Sequence, residues 1–368
     1  MPMKLALSTL CENPDRRTGL STLFPEMVRH ARAAFPEVSW VVFAGRRSPW
    51  PQGDPAVEVC RDFPSNESPV GRLVADHLFV AAEARRRGAS ALLTVGFHPL
   101  RPAGLPVAMQ VVAPIPGPGD GALRRAYRAW ALGRGLARSA LVIANSSWAR
   151  AQLGPRGGPL LVSPEGVQHD CFRPDGPKGG EGLPANYLLW VSNLYPYKRF
   201  DLALAAYAGL PEGVRRDAPL VVVGGDWAGG RRRAESLAER LGVRDSVRFM
   251  GWVPDPDLPF LYRGARALIL STSQETFGRN VLEAMACGCP CVLQDLPVLR
   301  EVAGECALYV DFADTSRASA LLLAVCARGW GREQLALAGI ERSRTFSFDR
   351  LARERVAAVL SAVGKAPA

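Results

Sequence analysis

Short unbroken apolar runs alternate with amphipathic stretches along the whole chain of 368 residues. In the first half, KLALSTL, VSWVVFAG, ALLTVG, VAMQVV and ALVIANS predict strands, and residues 20–34, 73–87, 123–137 and 148–153 between them predict helices. Continuous apolar strands separated by helices belong to parallel sheets covered on both faces. RPDGPKGGEGLPA interrupts the rhythm with a Gly- and Pro-rich stretch, a linker by composition. The alternation then restarts with YLLWVSN, PLVVVGG, SVRFMG, ARALILSTS, PCVLQ and CALYV, each followed by a helical pattern. The expected architecture is α/β, with two Rossmann-like, doubly wound domains facing a central cleft. Residues 1–175 form the first domain, 176–185 the linker, 186–345 the second domain, and 346–368 a last helix that crosses back to the first.

Composition narrows this picture. Apolar residues make up 48% and charged residues 22%, the balance of a folded globular chain rather than a disordered one. No run of eighteen apolar residues exists, so no spanning helix is expected. The start, MPMKLALSTLCENPD, has too short an apolar part and turns acidic too soon for a signal peptide; it predicts the first strand instead. Eight cysteines without a secretory context point to a reducing cytosol. Cys287, Cys289 and Cys291 alternate around Gly288 and Pro290 and are better explained as small core residues than as metal ligands.

The net charge of +10 is uneven: residues 1–180 hold 22 basic against 14 acidic side chains, and residues 181–368 hold 23 against 21. Residues 121–164 contain no acid but seven arginines, namely Arg124, Arg125, Arg128, Arg134, Arg138, Arg150 and Arg156. Such a field attracts anions, and with Tyr127 and Trp130 interleaved it is a candidate surface for an anionic membrane or an anionic lipid-linked acceptor. No nucleic-acid module is recognisable, so nucleic acid is not an expected partner.

The candidate chemistry lies in QETFGRNVLEAMACGCP, which places Glu275 and Glu283 with seven residues between them. Its first part is the loop after a strand, and Val281, Leu282, Met285 and Ala286 have helical spacing up to Gly288. Amides near Phe277, Gly278 and Arg279 at that helix N-terminus suit an anion, and Gly278 lets a ligand approach the backbone. Carboxylates beside a phosphate site suit hydroxyls, which they accept bonds from. A nucleotide sugar, with phosphates in the middle and polyols at both ends, combines the two. Upstream, WVSNLYPYKRFDLALAAY sets Lys198 at a helix start, where the dipole disfavours a cation unless an anion is present. VVVGGDW adds Gly224 and Gly225 after another strand. There is neither a G-x-G-x-x-G after the first strand nor a P-loop. Asp255 and Asp257, in DPD before LPFLYRGA, are expected to be structural, Asp257 as a helix N-cap with Pro259 just inside, and not to hold a metal.

On these residues the second half resembles the retaining glycosyltransferases of family four, which have the GT-B fold. The matching run extends from GWVPDPDLPFLYRGARALILSTSQETFGRN through VLEAMACGCPCVLQDLPVLREVAGECALYVD, with SNLYPYKRFD upstream. The first half matches more loosely through RRTGLSTLFPEMVRHA, VIANSSWARAQL and PEGVQHDCF. The resemblance implies that Glu283 binds the ribose, that Glu275 with the amides of Thr276, Phe277 and Gly278 faces the donor sugar and phosphate, and that Lys198 binds the diphosphate. Catalytic work would fall to Lys198 and Glu275. Val253 would meet the base through its backbone, Gly225 and Asn193 would line the donor, and Gly19 would stand near acceptor and phosphate. Two departures matter: Asn193 replaces a frequent arginine, and Gln110 is the nearest polar group where a histidine is frequent, with His98 another acceptor-side candidate.

The implied activity is transfer of a hexose from a UDP- or GDP-linked sugar, without metal or other cofactor, to a glycan or lipid-linked acceptor of surface-polysaccharide or cell-wall synthesis. The expected place is the cytoplasm, including the inner face of the membrane. Two alternatives stay open: a sugar phosphorylase or sugar-nucleotide epimerase on the same fold, and a non-catalytic nucleotide-sugar-binding subunit.

Overall fold

The computed structural model describes residues 3–12, 19–48, 50–51, 53–112, 121–155, 158–180, 182–184, 186–226, 229–327 and 331–364. Arg156 of the arginine-rich segment and Arg16, Arg17 and Thr18 of the RRTGL run lie outside the described residues. The chain divides into two compact units, residues 1–166 with 348–368, and residues 167–347.

The first unit is built on a parallel sheet of order β3-β2-β1-β4-β5-β6-β7 among the described residues. Its strands are β1 (Met3–Ser8), β2 (Val38–Phe43), β3 (Val57–Cys60), β4 (Ala91–Val95), β5 (Val107–Val111), β6 (Leu141–Ala144) and β7 (Leu160–Val162). Its helices are α1 (Gly19–Ala34), α2 (Pro69–Val74), α3 (Val80–Arg86), α4 (Ala122–Arg138), α5 (Ser147–Gln152) and, from the far end of the chain, α14 (Phe348–Ala362). One face of the sheet packs Leu5, Leu7, Trp40 and Val42 against Leu23, Phe24 and Met27 of α1 and Leu351, Val356 and Val359 of α14. The opposite face packs Ala6, Val41, Phe43 and Leu92 against Ala75, Val80, Ala81 and Ala84. Burial on both faces is why the central strands lack alternating polar positions.

The second unit holds a parallel sheet of order β10-β9-β8-β11-β12-β13 among the described residues. Its strands are β8 (Leu188–Val191), β9 (Leu220–Val223), β10 (Val247–Gly251), β11 (Ala267–Leu270), β12 (Cys291–Gln294) and β13 (Leu308–Val310). Its helices are α6 (Phe200–Ala208), α7 (Glu212–Asp217), α8 (Gly230–Arg240), α9 (Leu258–Gly264), α10 (Arg279–Ala286), α11 (Pro297–Ala303), α12 (Thr315–Cys326) and α13 (Arg332–Ser343). Cys287, Cys289 and Cys291 are buried, and burial pushes each thiol up.

The structure differs from the sequence expectation in several places. The strands β3 and β7 were not expected; both are edge strands, β7 half-buried throughout and β3 with Val57 and Val59 half-buried, Glu58 exposed and Cys60 buried. The stretch 73–87 is not one helix, because a π-helical turn at Ala75–Phe79 separates α2 from α3. The division falls at Gly166 and Val167 rather than at 175. Residues beyond it are tied into the second unit: Val167 bridges Ser347, and Phe172 packs on Tyr262 with ring centroids 6.2 Å apart. The Gly/Pro-rich stretch is also held there, since the Arg263 guanidinium donates to the carbonyls of Pro177 at 2.7 Å and Arg173 at 3.1 Å.

Candidate functional site

In the second sheet, the order reverses between β8 and β11, and ligands of open α/β sheets bind outside the carboxyl ends of strands at such a switch point. The two loops that leave this point carry the candidate residues. After β8 the chain makes a tight turn at Pro196–Lys198, and Arg199, at φ 50°, turns it into α6. After β11, the Ser271 hydroxyl donates to the Arg199 carbonyl at 2.7 Å, and the Ser273 amide donates to the Tyr197 carbonyl at 2.8 Å. These bonds fasten one loop to the other and bring Lys198 onto Glu275.

The Lys198 ammonium donates to Glu275 Oε2 at 2.6 Å, with the side chains 12% and 15% exposed. Glu275 Oε1 accepts from the Thr276 amide at 3.1 Å. The lysine that looked misplaced for a helix start therefore already has an anion, a carboxylate of its own chain. Lys198 precedes α6 on the 3-10 turn rather than opening the helix. Lys198 also lies 5.4 Å from the Tyr197 ring centroid, and that ring stacks on Tyr195 at 5.3 Å.

Gly278 stands before α10 at φ 97°, where a Cβ would come within 2.9 Å of Leu299 Cδ2. Phe277 is buried and packs edge-on against Phe346 at 5.9 Å, so its side chain anchors the loop while its backbone stays at the helix start. Glu283, one turn into α10, accepts from the Tyr262 hydroxyl at 3.2 Å, and its other oxygen lies 3.5 Å from the Arg279 guanidinium. Tyr262 is fully buried, and burial followed by the Glu283 charge pushes its hydroxyl well up. Tyr262 was not singled out from sequence, and Arg279 was named there for its amide and not for its side chain; the i,i+4 spacing of Arg279 and Glu283 was the available signal for the latter.

Asn193 has a structural occupation. Its Oδ1 accepts from the Gly225 amide at 2.8 Å, which joins the loops after β8 and β9. Gly224, at φ 147°, lies so close that a Cβ would fall 1.7 Å from the Ser192 carbonyl oxygen. Val253 follows β10, half-buried beside the half-exposed Trp252. Asp255–Asp257 forms a 3-10 turn, and Asp257 occupies the position before α9 without the side-chain cap bond expected of it. Its αR backbone, at φ −92° and ψ −19°, departs from the extended geometry of an N-cap. Among the described residues no group of three or more His, Cys, Asp or Glu could hold a metal ion.

In the first unit Gly19 opens α1 and is exposed. His98 is buried, its Nδ1 2.8 Å from the Pro99 carbonyl, and burial pulls its imidazole down. Gln110 is buried on β5, with Oε1 accepting from Arg355 at 2.9 Å. A further polar cluster, absent from the sequence reading, gathers near the carboxyl end of β1. Ser8 donates to Asp76 at 2.7 Å, and Arg72 lies 3.6 Å from the same carboxylate. His77 Nε2 is 2.9 Å from the Tyr127 hydroxyl. Burial pushes Asp76 up to about 6 and Glu12 up to about 8, and pulls His77 down to about 4. The π turn directs Asp76 and His77 inward together, which a regular helical reading of 73–87 does not show.

Residues 175–325, which contain Lys198, Glu275 and Glu283, match the family model of the glycosyl transferases group 1. The O-antigen chain mannosyltransferase B of Escherichia coli is 33% identical over 176 residues, covering 46% of this chain and 44% of that protein. The D-inositol 3-phosphate glycosyltransferase of Thermomonospora curvata is 34% identical over 208 residues, covering 51% of this chain and 48% of that protein. The chain thus spans about half the length of the curated relatives it matches. Among solved structures, the sucrose-phosphate synthase from Thermosynechococcus elongatus superposes with TM-score 0.81 at 19% identity over 98% of both chains. WaaG, a glycosyltransferase involved in lipopolysaccharide biosynthesis, gives 0.73 at 20% identity over 96% of this chain and 99% of that one. Anabaena HepE in complex with UDP-glucose gives 0.72 at 18% identity over 98% and 99%. These likenesses show the fold, two parallel-sheet α/β units of the GT-B kind.

Proposed function

We propose that the chain is a retaining glycosyltransferase of family four that moves a hexose from a UDP- or GDP-linked sugar to a glycan or lipid-linked acceptor in surface-polysaccharide or cell-wall synthesis. The observation that carries this reading is the Lys198–Glu275 pair at the β8/β11 switch point, with Glu283 one turn into α10, inside the matched residues. HepE is named as binding UDP-glucose and the curated relatives are named as glycosyl- and mannosyltransferases, which supports the substrate class.

In this reading Glu283 accepts from the ribose hydroxyls, and Glu275 with the amides of Thr276 to Gly278 faces the sugar and its phosphate. Val253 meets the base through its backbone, and Gly225 lets the donor approach the loop after β9. Breaking the sugar–phosphate bond leaves the electron pair on the diphosphate and positive character on the sugar. Lys198 is oriented in advance to stabilise the departing charge, a preorganised electrostatic contribution that requires no metal. The acceptor oxygen attacks the anomeric carbon from the leaving-group side, and its proton passes to the departing diphosphate, so configuration is retained. Gly19, His98 and Gln110 are the acceptor-side candidates. A cytoplasmic location with the first unit on an anionic membrane surface belongs to the same reading.

Thermal-shift titration with a panel of nucleoside diphosphates, followed by product analysis with the best-bound donor, tests it. A nucleoside diphosphate is expected to stabilise the chain, and an acceptor to release it with an axial product from an axial donor. Inverted product, or no release with any acceptor, overturns the reading. Activity is expected to survive excess chelator; loss restored by magnesium or manganese removes metal independence from it.

A further inference from the structure

The last helix of the chain reaches into the carboxyl edge of the first sheet. Arg355 on α14 is fully buried, and its guanidinium donates to Gln110 Oε1 at 2.9 Å, to the Ser163 carbonyl at 2.8 Å and to the Ser163 hydroxyl at 3.3 Å. Gln110 lies near the end of β5, and Ser163 directly follows β7. Burial pulls the guanidinium down to about 10, a sign of how much desolvation the arrangement sustains.

A guanidinium carries only donors. The Gln110 atom facing Arg355 must therefore be the carboxamide oxygen, which settles an orientation that otherwise has to be assigned from the hydrogen-bond network. The Gln110 NH2 is then the end left over. It is buried, on a side chain 5% exposed, and has no hydrogen-bond partner among the described residues. Buried donors in folded proteins are nearly always satisfied, so one that is not calls for a partner. A flipped amide would set NH2 against the guanidinium, donor against donor, and would give up a charge-assisted bond.

We propose that Arg355 is a positioning residue that holds Gln110 as a hydrogen-bond donor to an oxygen of the bound acceptor, a hydroxyl or ring oxygen of a sugar. The proposal rests on the reading of the chain as a transferase with Gln110 on the acceptor side. It makes α14 part of ligand recognition by the first unit, although the helix is last in sequence. It also gives a reason for a buried arginine where an apolar residue would pack.

Four variants test it: Gln110→Glu, Arg355→Lys, Arg355→Met, and Arg355→Met combined with Gln110→Ala, with Gln110→Ala as reference. Gln110→Glu keeps the arginine contact and loses the donor; the acceptor KM is expected to rise about tenfold, with the donor KM unchanged. Arg355→Lys still presents only donors but from one nitrogen, so it is expected to keep the Gln110 orientation and to lose less transfer than Arg355→Met. Arg355→Met is expected to match Gln110→Ala, and the double variant to be no worse than either, because both remove the same interaction. If Arg355→Met lowers transfer by the same factor in the Gln110→Ala background, the arginine acts structurally and the proposal is overturned. An unchanged acceptor KM in Gln110→Glu overturns it too. A second readout does not need activity. In nitrogen-15 glutamine-labelled protein, the Gln110 side-chain signal, assigned by its loss in Gln110→Glu, is expected to be one resolved pair in wild type and Arg355→Lys and to broaden in Arg355→Met. A signal unaltered in Arg355→Met overturns the positioning. A chain that transfers no sugar at all defeats the transferase reading, and the amide spectrum then decides the orientation alone.

Discussion

Lys198 and Glu283 sit in the same site but face different stages of the proposed reaction. Charge grows on the diphosphate only as the bond breaks, so Lys198→Ala is expected to lower turnover by roughly 100- to 1000-fold, as loss of one donor to a developing anion does. The ribose hydroxyls do not change during reaction, so Glu283→Ala is expected chiefly to raise the donor KM, by about 10- to 150-fold for a hydrogen bond to a charged group. Glu275→Ala is expected to fall between them, since in the proposed reaction Glu275 faces the sugar, and it also holds Lys198 at 2.6 Å. Steady-state kinetics on the three variants, with circular dichroism to confirm folding, check this. Near-normal turnover in Lys198→Ala removes the leaving-group role, and unchanged donor KM in Glu283→Ala removes the ribose role. A different residue, Glu12, contributes to the pH dependence of stability. Burial pushes Glu12 from 4.5 up to about 8, so the folded chain keeps a proton that the unfolded chain releases between those values. Stability contributed by that proton is complete below the lower value and lost as pH rises towards the upper one. Glu12→Gln stays neutral throughout, so its melting temperature relative to wild type is expected to rise between pH 5 and pH 8. A difference that does not grow with pH refutes the assignment.

At the scale of the elements, legibility followed burial. The strands β1, β2, β4, β5, β6, β8, β9, β11 and β12 are apolar runs in sequence because most of their side chains are buried, and an unbroken apolar run is visible without a structure; β10 is the exception, read from SVRFMG although only its Val247 is buried. The edge strands β3 and β7 are mostly half-buried and short, so their pattern does not rise above that of a loop. The spacing of Glu275 and Glu283 was legible because both are near in sequence. The contact of Lys198 with Glu275 was not, because it depends on β8 pairing with β11, and strand order is a tertiary fact. The π turn at Ala75–Phe79 was hidden for a related reason: it changes which residues face inward without changing composition. Gly224 was visible as a glycine but not for its purpose, which is to let the β9 loop touch the Ser192 carbonyl. Gly224→Ala would put a Cβ 1.7 Å from that oxygen, so backbone has to move. Overpacking of this kind costs about 1–3 kcal/mol. Each kcal/mol lowers the melting temperature of a domain this size by about 2–4 °C. Calorimetry is expected to show that loss, together with weaker nucleoside diphosphate binding because the same loop carries Gly225. A variant that melts with wild type shows that the loops separate freely.

For the molecule as a whole, most of the net charge and several exposed apolar side chains lie on the first unit, although Leu337 at 62% and Trp252 at 51% are exposed on the second. Residues 1–180 carry 22 basic and 14 acidic side chains, which is +8 of the net +10. Val70 at 75% exposure, Phe79 at 50%, Leu123 at 86% and Trp130 at 46% all belong to the first unit. On α4, Leu123, Tyr127 and Trp130 follow i, i+4, i+7 spacing and so share a face. Tyr127 and Trp130 both approach His77 of the π turn, with ring centroids 6.1 and 5.7 Å away, which joins that face to the surface of α2 and α3. Apolar side chains there are accompanied by Arg124, Arg125 and Arg128 on the same helix, a combination that suits the headgroup region of an anionic bilayer. Each arginine near such a surface contributes about 1 kcal/mol, and salt screens it within a Debye length. Apolar insertion is insensitive to salt. The two contributions can therefore be separated by flotation with liposomes containing anionic lipid, at low and high salt, for wild type, Arg124→Gln/Arg125→Gln and Leu123→Glu/Trp130→Glu. Wild type is expected to bind anionic liposomes, to weaken in high salt, and to bind neutral ones little. The arginine variant is expected to lose the salt-sensitive part, and the glutamate variant most of the binding left in high salt. Equal binding to anionic and neutral liposomes, or binding to neither, removes the membrane from the proposed function and leaves the arginines to a soluble anionic acceptor.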